Sequence, residues 1–291
     1  MNKKTLRGML LLFLTATVWG VAFVAQSIGM NHLNAFAFNC IRNAIGVVVL
    51  SPVLLVTHHH THLFNKDLLI GGLVCGLALA IASNFQQLGI EHSTVGKSAF
   101  ITTLYIVFVP IIGLLFKKKV SIQVWFSVAL AMIGLFLLCM KDEAFVLGIG
   151  DIYLILCAIF FTIQIMCVDY YVQKVNGVAL SIMQFAVTSV FSGICMICTE
   201  IPTWSDIVDA AAPLLYAGGI SCGIGYTLQI IAQKDVPATV ASLIMSLESV
   251  IAALAGWVIL HEVLSEKELL GCILVFAAVI LTQIPLKQAK K

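Results

Sequence analysis

Glu248 and Arg42 each stand inside a long apolar run, a setting that tolerates a charge only with a proton, a partner or water beside it. There Glu248 has the chemistry of a proton carrier or of a contact to a substrate ammonium; it can equally be a structural carboxylate bonded to a neighbouring helix. Arg42 offers a guanidinium to a solute in a shared water-filled cavity, or else snorkels outward or caps backbone carbonyls. Lys97 lies only about three residues inside its run, so reaching back to the membrane interface is its expected behaviour. A gate or a contact to a substrate anion is the other reading.

Gln26, Asn39, Asn84, Gln86, Gln87, Gln164, Gln184 and Gln229 also fall within apolar runs. Some are expected to line a solute path, and each can equally bond two helices together, a contact worth about 0.6 kcal/mol on average. Trp19 and Tyr105 read as aromatic walls of that path or as core aromatics.

Several patterns that imitate enzyme or metal motifs fail on their context. Gly219-Ile220-Ser221-Cys222-Gly223 matches G-x-S-x-G, yet a nucleophile elbow needs a strand before it and a helix after it. Inside an apolar run its small residues read as a helix contact, like Gly72 and Gly76. His261-Glu262 begins H-E-x-x-H but meets Ser265 at the fifth position. Cys195-x-x-Cys198 lacks a second pair and is expected to be buried, and the His58 to His62 cluster reads as a solvated loop. No cofactor or resident metal is expected.

The elements that position these residues follow from composition. The 291 residues are 61% hydrophobic and 10% charged, too apolar for a soluble globule to cover, so the solvent is a bilayer. Because the runs are continuous and do not alternate, they are helices. Ten spans are expected, near 6–28, 35–56, 68–90, 95–116, 120–139, 151–172, 178–201, 209–232, 238–260 and 268–286. The first run is too long for the core of a signal peptide, about 7–15 residues. Glu248 then lies about 15 Å from one face, with Arg42 within about 5 Å of the same depth. A net charge of +2 without a basic block argues against nucleic acid as a partner.

Orientation follows from Lys and Arg. With the N-terminus inside, twelve of the sixteen lie in inner segments, including Lys66, Lys117, Lys118, Lys119, Lys174 and Lys234. Both termini are therefore expected in the cytoplasm, in the plasma or inner membrane.

An internal repeat runs through the chain. An offset of 142 lays Trp19 on Phe161 and Arg42 on Gln184; one of 143 lays Gln86 on Gln229 and Ser98–Ile101 on Ala241–Ile244. Each unit, 6–139 and 151–286, carries five expected spans. An odd number forces the second to enter from the opposite face, so the expected fold class is an all-α membrane protein of two inverted five-helix repeats. Inverted halves meeting at the midplane are the architecture of secondary transporters, with a small-molecule solute and the lipid bilayer as partners.

Two segments carry a resemblance: Lys97-Ser98-Ala99-Phe100-Ile101-Thr102-Thr103-Leu104-Tyr105-Ile106-Val107-Phe108-Val109-Pro110, and Ala241-Ser242-Leu243-Ile244-Met245-Ser246-Leu247-Glu248-Ser249-Val250. Both look like the fourth-helix segments of the EamA family in the drug/metabolite transporter superfamily, with Trp19-Gly20 in the first span matching as well. The resemblance implies outward transport of amino acids, other metabolites or drugs. No nucleotide-binding fingerprint is present, so a proton gradient or the solute's own gradient is the expected drive. A non-transporting sensor or scaffold and an intramembrane enzyme are the rival classes.

Overall fold

The computed structural model describes residues 3–56, 65–118, 120–139, 148–259 and 264–283, and every regular element among them is helical. The chain runs α1 Lys3–Gly29, α2 Ala35–Val56, α3 Lys66–Glu91, α4 Val95–Thr102, α5 Tyr105–Leu115 and α6 Ile122–Cys139. It continues with α7 Ile149–Tyr171, α8 Gly177–Thr199, the short α9 Trp204–Asp209 and α10 Ala211–Leu215, a π-helix Tyr216–Tyr226, and α11 Thr227–Gln233. The last elements are α12 Ala238–Met245, α13 Leu247–Ile259 and α14 Glu266–Gln283.

These helices form eight rods long and apolar enough to cross a bilayer, with Val95–Leu115, Ala211–Gln233 and Ala238–Ile259 each composed of shorter elements. The apolar stretch of α6, Ile122–Leu138, is shorter. α14 carries Glu266, Lys267 and Glu268 in its first turn. Of the ten expected spans, then, eight meet both criteria.

Three rods are interrupted. At the end of α4 the Thr103 hydroxyl donates to Ala99 O at 2.7 Å, and at the end of α12 the Ser246 hydroxyl donates to Leu243 O at 2.7 Å. A hydroxyl that takes a carbonyl of the preceding turn competes with the helical ladder and bends or breaks it. Thr103 and Ser246 stand at the repeat offset of 143, so both halves break their fourth rod at the same place. The third break is the π-helix, which contains Gly218, Gly219, Gly223 and Gly225, and its wider winding replaces the continuous helix expected over 209–232.

Packing repeats the symmetry. α2 packs on α8, and α6 on α14, each pairing an element with its own equivalent; α3 against α7 mirrors the π-helix and α11 against α1. The contact chemistry matches too. A Cβ on Gly76 would lie 3.0 Å from Gln184 O and against Val187, and one on Gly218 2.7 Å from Arg42 O and against Ile45. Each of these residues is the other's equivalent at offset 142. Gly72 meets Met183 in the same way, whereas Gly219, expected as a close contact, faces open space. α6 and α14 pack on each other and on the two broken rods alone, apart from slighter contacts, which puts them at the periphery.

One end of the bundle gathers the lysine-bearing connections. Lys118 pairs with Asp169 at 2.5 Å, Lys174 with Asp67 at 3.8 Å, and the Gln173 amide donates to Lys234 O. These are segments that the lysine bias assigns to a single side.

The α6–α14 crossing gives a test. A Cβ on Gly271 would lie 2.6 Å from both Gly134 O and Leu138 N, backbone atoms that cannot swing aside. Gly271→Val is expected to destabilise the protein by about 1–3 kcal/mol, read as a lower melting temperature in detergent, with Gly219→Ala close to neutral. Equal melting of Gly271→Val and parent would refute the packing.

Candidate functional site

Both fourth-rod breaks are followed in the next turn by a side chain singled out from sequence. Tyr105 opens α5 and Glu248 lies in the first turn of α13, each two residues beyond its break. Because the two rods meet near the symmetry axis, the equivalent residues touch: Tyr105 Oη donates to Glu248 Oε1 at 2.8 Å. Both are buried.

Around this bond lies a cavity walled by α1 with Trp19 and Gln26, α2 with Arg42, α3 with Gln86, and α7 with Phe161 and Gln164. Thr102, Tyr226 and Gln229 also line it. Its free space is about 30 Å³, room for a water or two, where a metabolite-sized ligand needs hundreds of Å³. The helices are drawn together over the site.

Arg42 is 3% exposed. Its Nη1 donates to Gln26 Oε1 at 2.7 Å and its guanidinium lies 5.7 Å from the Phe38 ring centre, but Nε has no partner. The Trp19 ring lies 4.5 Å from that of Tyr226, and its Nε1 is likewise unpartnered. Gly225 permits this packing, since a Cβ there would lie 2.7 Å from the indole nitrogen. Opposite, the amides chain together: Gln229 donates to Gln164 Oε1 at 3.3 Å and to Gln233 Oε1 at 3.0 Å, and Gln164 donates to Gln184 Oε1 at 3.3 Å. Gln229 Oε1 accepts nothing.

Eight of the thirteen residues singled out from sequence therefore share one cavity: Glu248, Arg42, Trp19, Gln26, Gln86, Tyr105, Gln164 and Gln229. The other five are elsewhere, among them Gln87, whose amide donates to Gln26 O at 3.2 Å. Asn39 Nδ2 donates to Ser83 O and Asn84 Oδ1, both at 2.9 Å, and Asn84 Nδ2 donates to Ser192 Oγ at 2.8 Å, so the two asparagines tie α2, α3 and α8 together. Asn84 precedes Gln86 by two positions, about 200° around a helix, which turns it to the opposite face. Gln184 stands behind Gln164, outside the cavity wall.

Lys97 pairs with Asp151 at 2.7 Å. Asp151, 2% exposed, also accepts from Gly148 N at the start of α7.

Sequence reading passed over Tyr226 and Thr102 and treated Phe161 only as the counterpart of Trp19. The repeat held the missing signal, because Phe161 lies opposite Trp19 at offset 142 and Glu248 opposite Tyr105 at 143. Of the patterns set aside, Ser221 joins the cavity wall from within the π-helix. Cys195 is half-buried and Cys198 exposed, correcting the expectation that both are buried, and no group of metal ligands occurs among the described residues. His58–His62 and His261-Glu262 lie outside the described residues.

Residues 6–140 and 148–284 each match the model of the EamA-like transporter family. The chain is similar to an uncharacterized transporter of Archaeoglobus fulgidus, 29% identical over 94% of this chain and 84% of that one. It is also similar to the uncharacterized transporter YoaV of Bacillus subtilis, 20% identical over 94% and 95%. A crystal structure described only as that of a protein superposes with a TM-score of 0.78 at 15% identity, covering 94% of this chain and 96% of that chain, a likeness of fold.

The Tyr105–Glu248 bond should appear in a double-mutant cycle. Tyr105→Phe, Glu248→Gln and their combination, compared by thermal unfolding in detergent, are expected to give a coupling of about 1–2 kcal/mol. Additive effects would mean that the two side chains do not bond.

Proposed function

The chain belongs to the EamA-like transporter family, and on that premise we propose that it is a secondary transporter moving a small organic solute outward through the Glu248–Arg42 cavity. The observation that carries this reading is the meeting of two equivalent broken rods at a polar cavity, with Tyr105 and Glu248 in contact across the symmetry axis. Irregular backbone at membrane depth is tolerated where it lines a site, and interrupted helices in corresponding positions of two repeats mark the binding region of such proteins. In this reading the halves 6–139 and 151–286 contribute five spans each, inverted, with both termini in the cytoplasm of a cell whose inner or plasma membrane holds the protein. The two halves rock about the cavity, and Glu248 carries the coupling proton.

The two ends of the cavity differ. Lys97 and Asp151 join the starts of α4 and α7 by an ion pair, while their equivalents at the opposite end, Val240 and Met9, are apolar. The pair serves as an outer latch that must part for release, and the inner end closes by packing alone.

For transport, purified protein in liposomes should exchange a small organic solute in counterflow without ATP, and Glu248→Gln should keep the fold while losing gradient-driven accumulation. Accumulation by Glu248→Gln at the parent rate and with the parent pH dependence would make the residue structural. Failure of any solute in a broad metabolite panel to show counterflow would overturn the transporter reading.

For the latch, Lys97→Cys with Asp151→Cys, in a background lacking the nine native cysteines, should stop counterflow when cross-linked and recover on reduction. Undiminished counterflow in the cross-linked protein would make the pair a structural tie.

A further inference from the structure

We infer that the solute carries a compact anionic head, most simply a carboxylate, that docks on Arg42, with a flat apolar body against Trp19. The inference deepens the proposed function and rests on it only in treating the ligand as cargo. Its basis is the bonding capacity left unmet in the cavity wall. Arg42 is buried, takes part in no ion pair among the described residues, and keeps Nε unpartnered after its bond to Gln26. The carboxylate that shares the cavity, Glu248, is bonded to Tyr105.

A buried guanidinium without a counter-charge is costly, and its planar fork matches a carboxylate. A ligand carrying that group supplies the ion pair that Arg42 itself lacks, Glu248 being bonded to Tyr105, while one carrying an ammonium meets repulsion from Arg42. The indole of Trp19, packed at a tilt against Tyr226, adds both an apolar surface and a second unpartnered donor, Nε1. Gln229 Oε1 is an unpartnered acceptor, so the body of the ligand gains from one hydrogen donor of its own. The class is therefore a small acid with an aromatic or otherwise flat apolar body, and not an organic cation.

Indole-3-acetate, indole-3-acetamide and tryptamine share one body and one ring donor and differ in the head alone. Measured by calorimetry on the full-length protein in a neutral maltoside detergent, indole-3-acetate should bind at least about tenfold more tightly than the amide or the amine. Arg42→Gln should weaken the acid by about ten- to a hundredfold, the range for losing a charge-assisted hydrogen bond, and leave the amide little changed. Arg42→Lys, which keeps the charge without the fork, should fall between. Should Arg42→Gln not fold, the ranking of heads on the parent protein and the Arg42→Lys variant decide the matter.

The inference is overturned if tryptamine binds as tightly as the acid, if indole-3-acetate does not bind, or if Arg42→Gln retains its affinity. Counterflow of the same three compounds in liposomes separates the two readings. Binding of the acid without counterflow of any solute supports the anionic head and removes the transporter, whereas counterflow of tryptamine alone keeps the transporter and removes the anionic head.

Discussion

A backbone N–H or C=O left bare in hydrocarbon costs several kcal/mol, and the rest of this structure is arranged around the places where helices are nevertheless broken. At the breaks the Ser246 hydroxyl gives Leu243 O a partner, the Thr103 hydroxyl joins Thr103 N on Ala99 O, and both residues are buried in protein. Each break frees the following turn to aim a polar side chain inward, and the result is the Tyr105–Glu248 contact. Straight helices in these positions would keep the ladder complete and lose the site.

Two halves built alike meet by a small set of repeated contacts. Gly76 on the carbonyl of Gln184 and Gly218 on that of Arg42 are the same contact made twice, and they fix how closely α3 approaches α8 and the π-helix approaches α2. This backbone-to-backbone approach sets the depth of Arg42 itself, since its own carbonyl is the one that Gly218 packs against. Lipid is as apolar as a leucine side chain, so close packing and interhelical hydrogen bonds, not hydrophobic burial, hold the helices together. The Asn39, Asn84 and Ser192 network belongs to that adhesive role.

The symmetry is broken at the cavity. Arg42 has Gln184 as its equivalent in the other half, and Glu248 has Tyr105: a charge in one half is matched by a neutral polar group of similar reach in the other. Two carboxylates at the Tyr105–Glu248 contact would repel, whereas the carboxylate beside a neutral donor is held in place by a hydrogen bond. The ion pair of Lys97 with Asp151 at one end, against Val240 and Met9 at the other, is a further such departure.

Much of this was legible in the chain. Continuous apolar runs determined helices, because nothing else spans lipid with its backbone satisfied, and the drifting offset of 142 to 143 determined two units of one kind. The rarity of ionisable groups in those runs picked out Glu248 and Arg42, since a charge there is too costly to be incidental. What a linear pattern could not decide was facing. Asn84 and Gln86 look alike in sequence, yet two positions turn a side chain to the far side of its helix, so one bonds α8 and the other reaches the cavity. Nor did spacing reveal that Lys97 meets Asp151, a partner 54 residues away, or that the glycines of 216–226 wind as a π-helix. Those depend on which helix lies across from which, and that is set by close packing among all the rods at once, a property no single stretch of sequence contains.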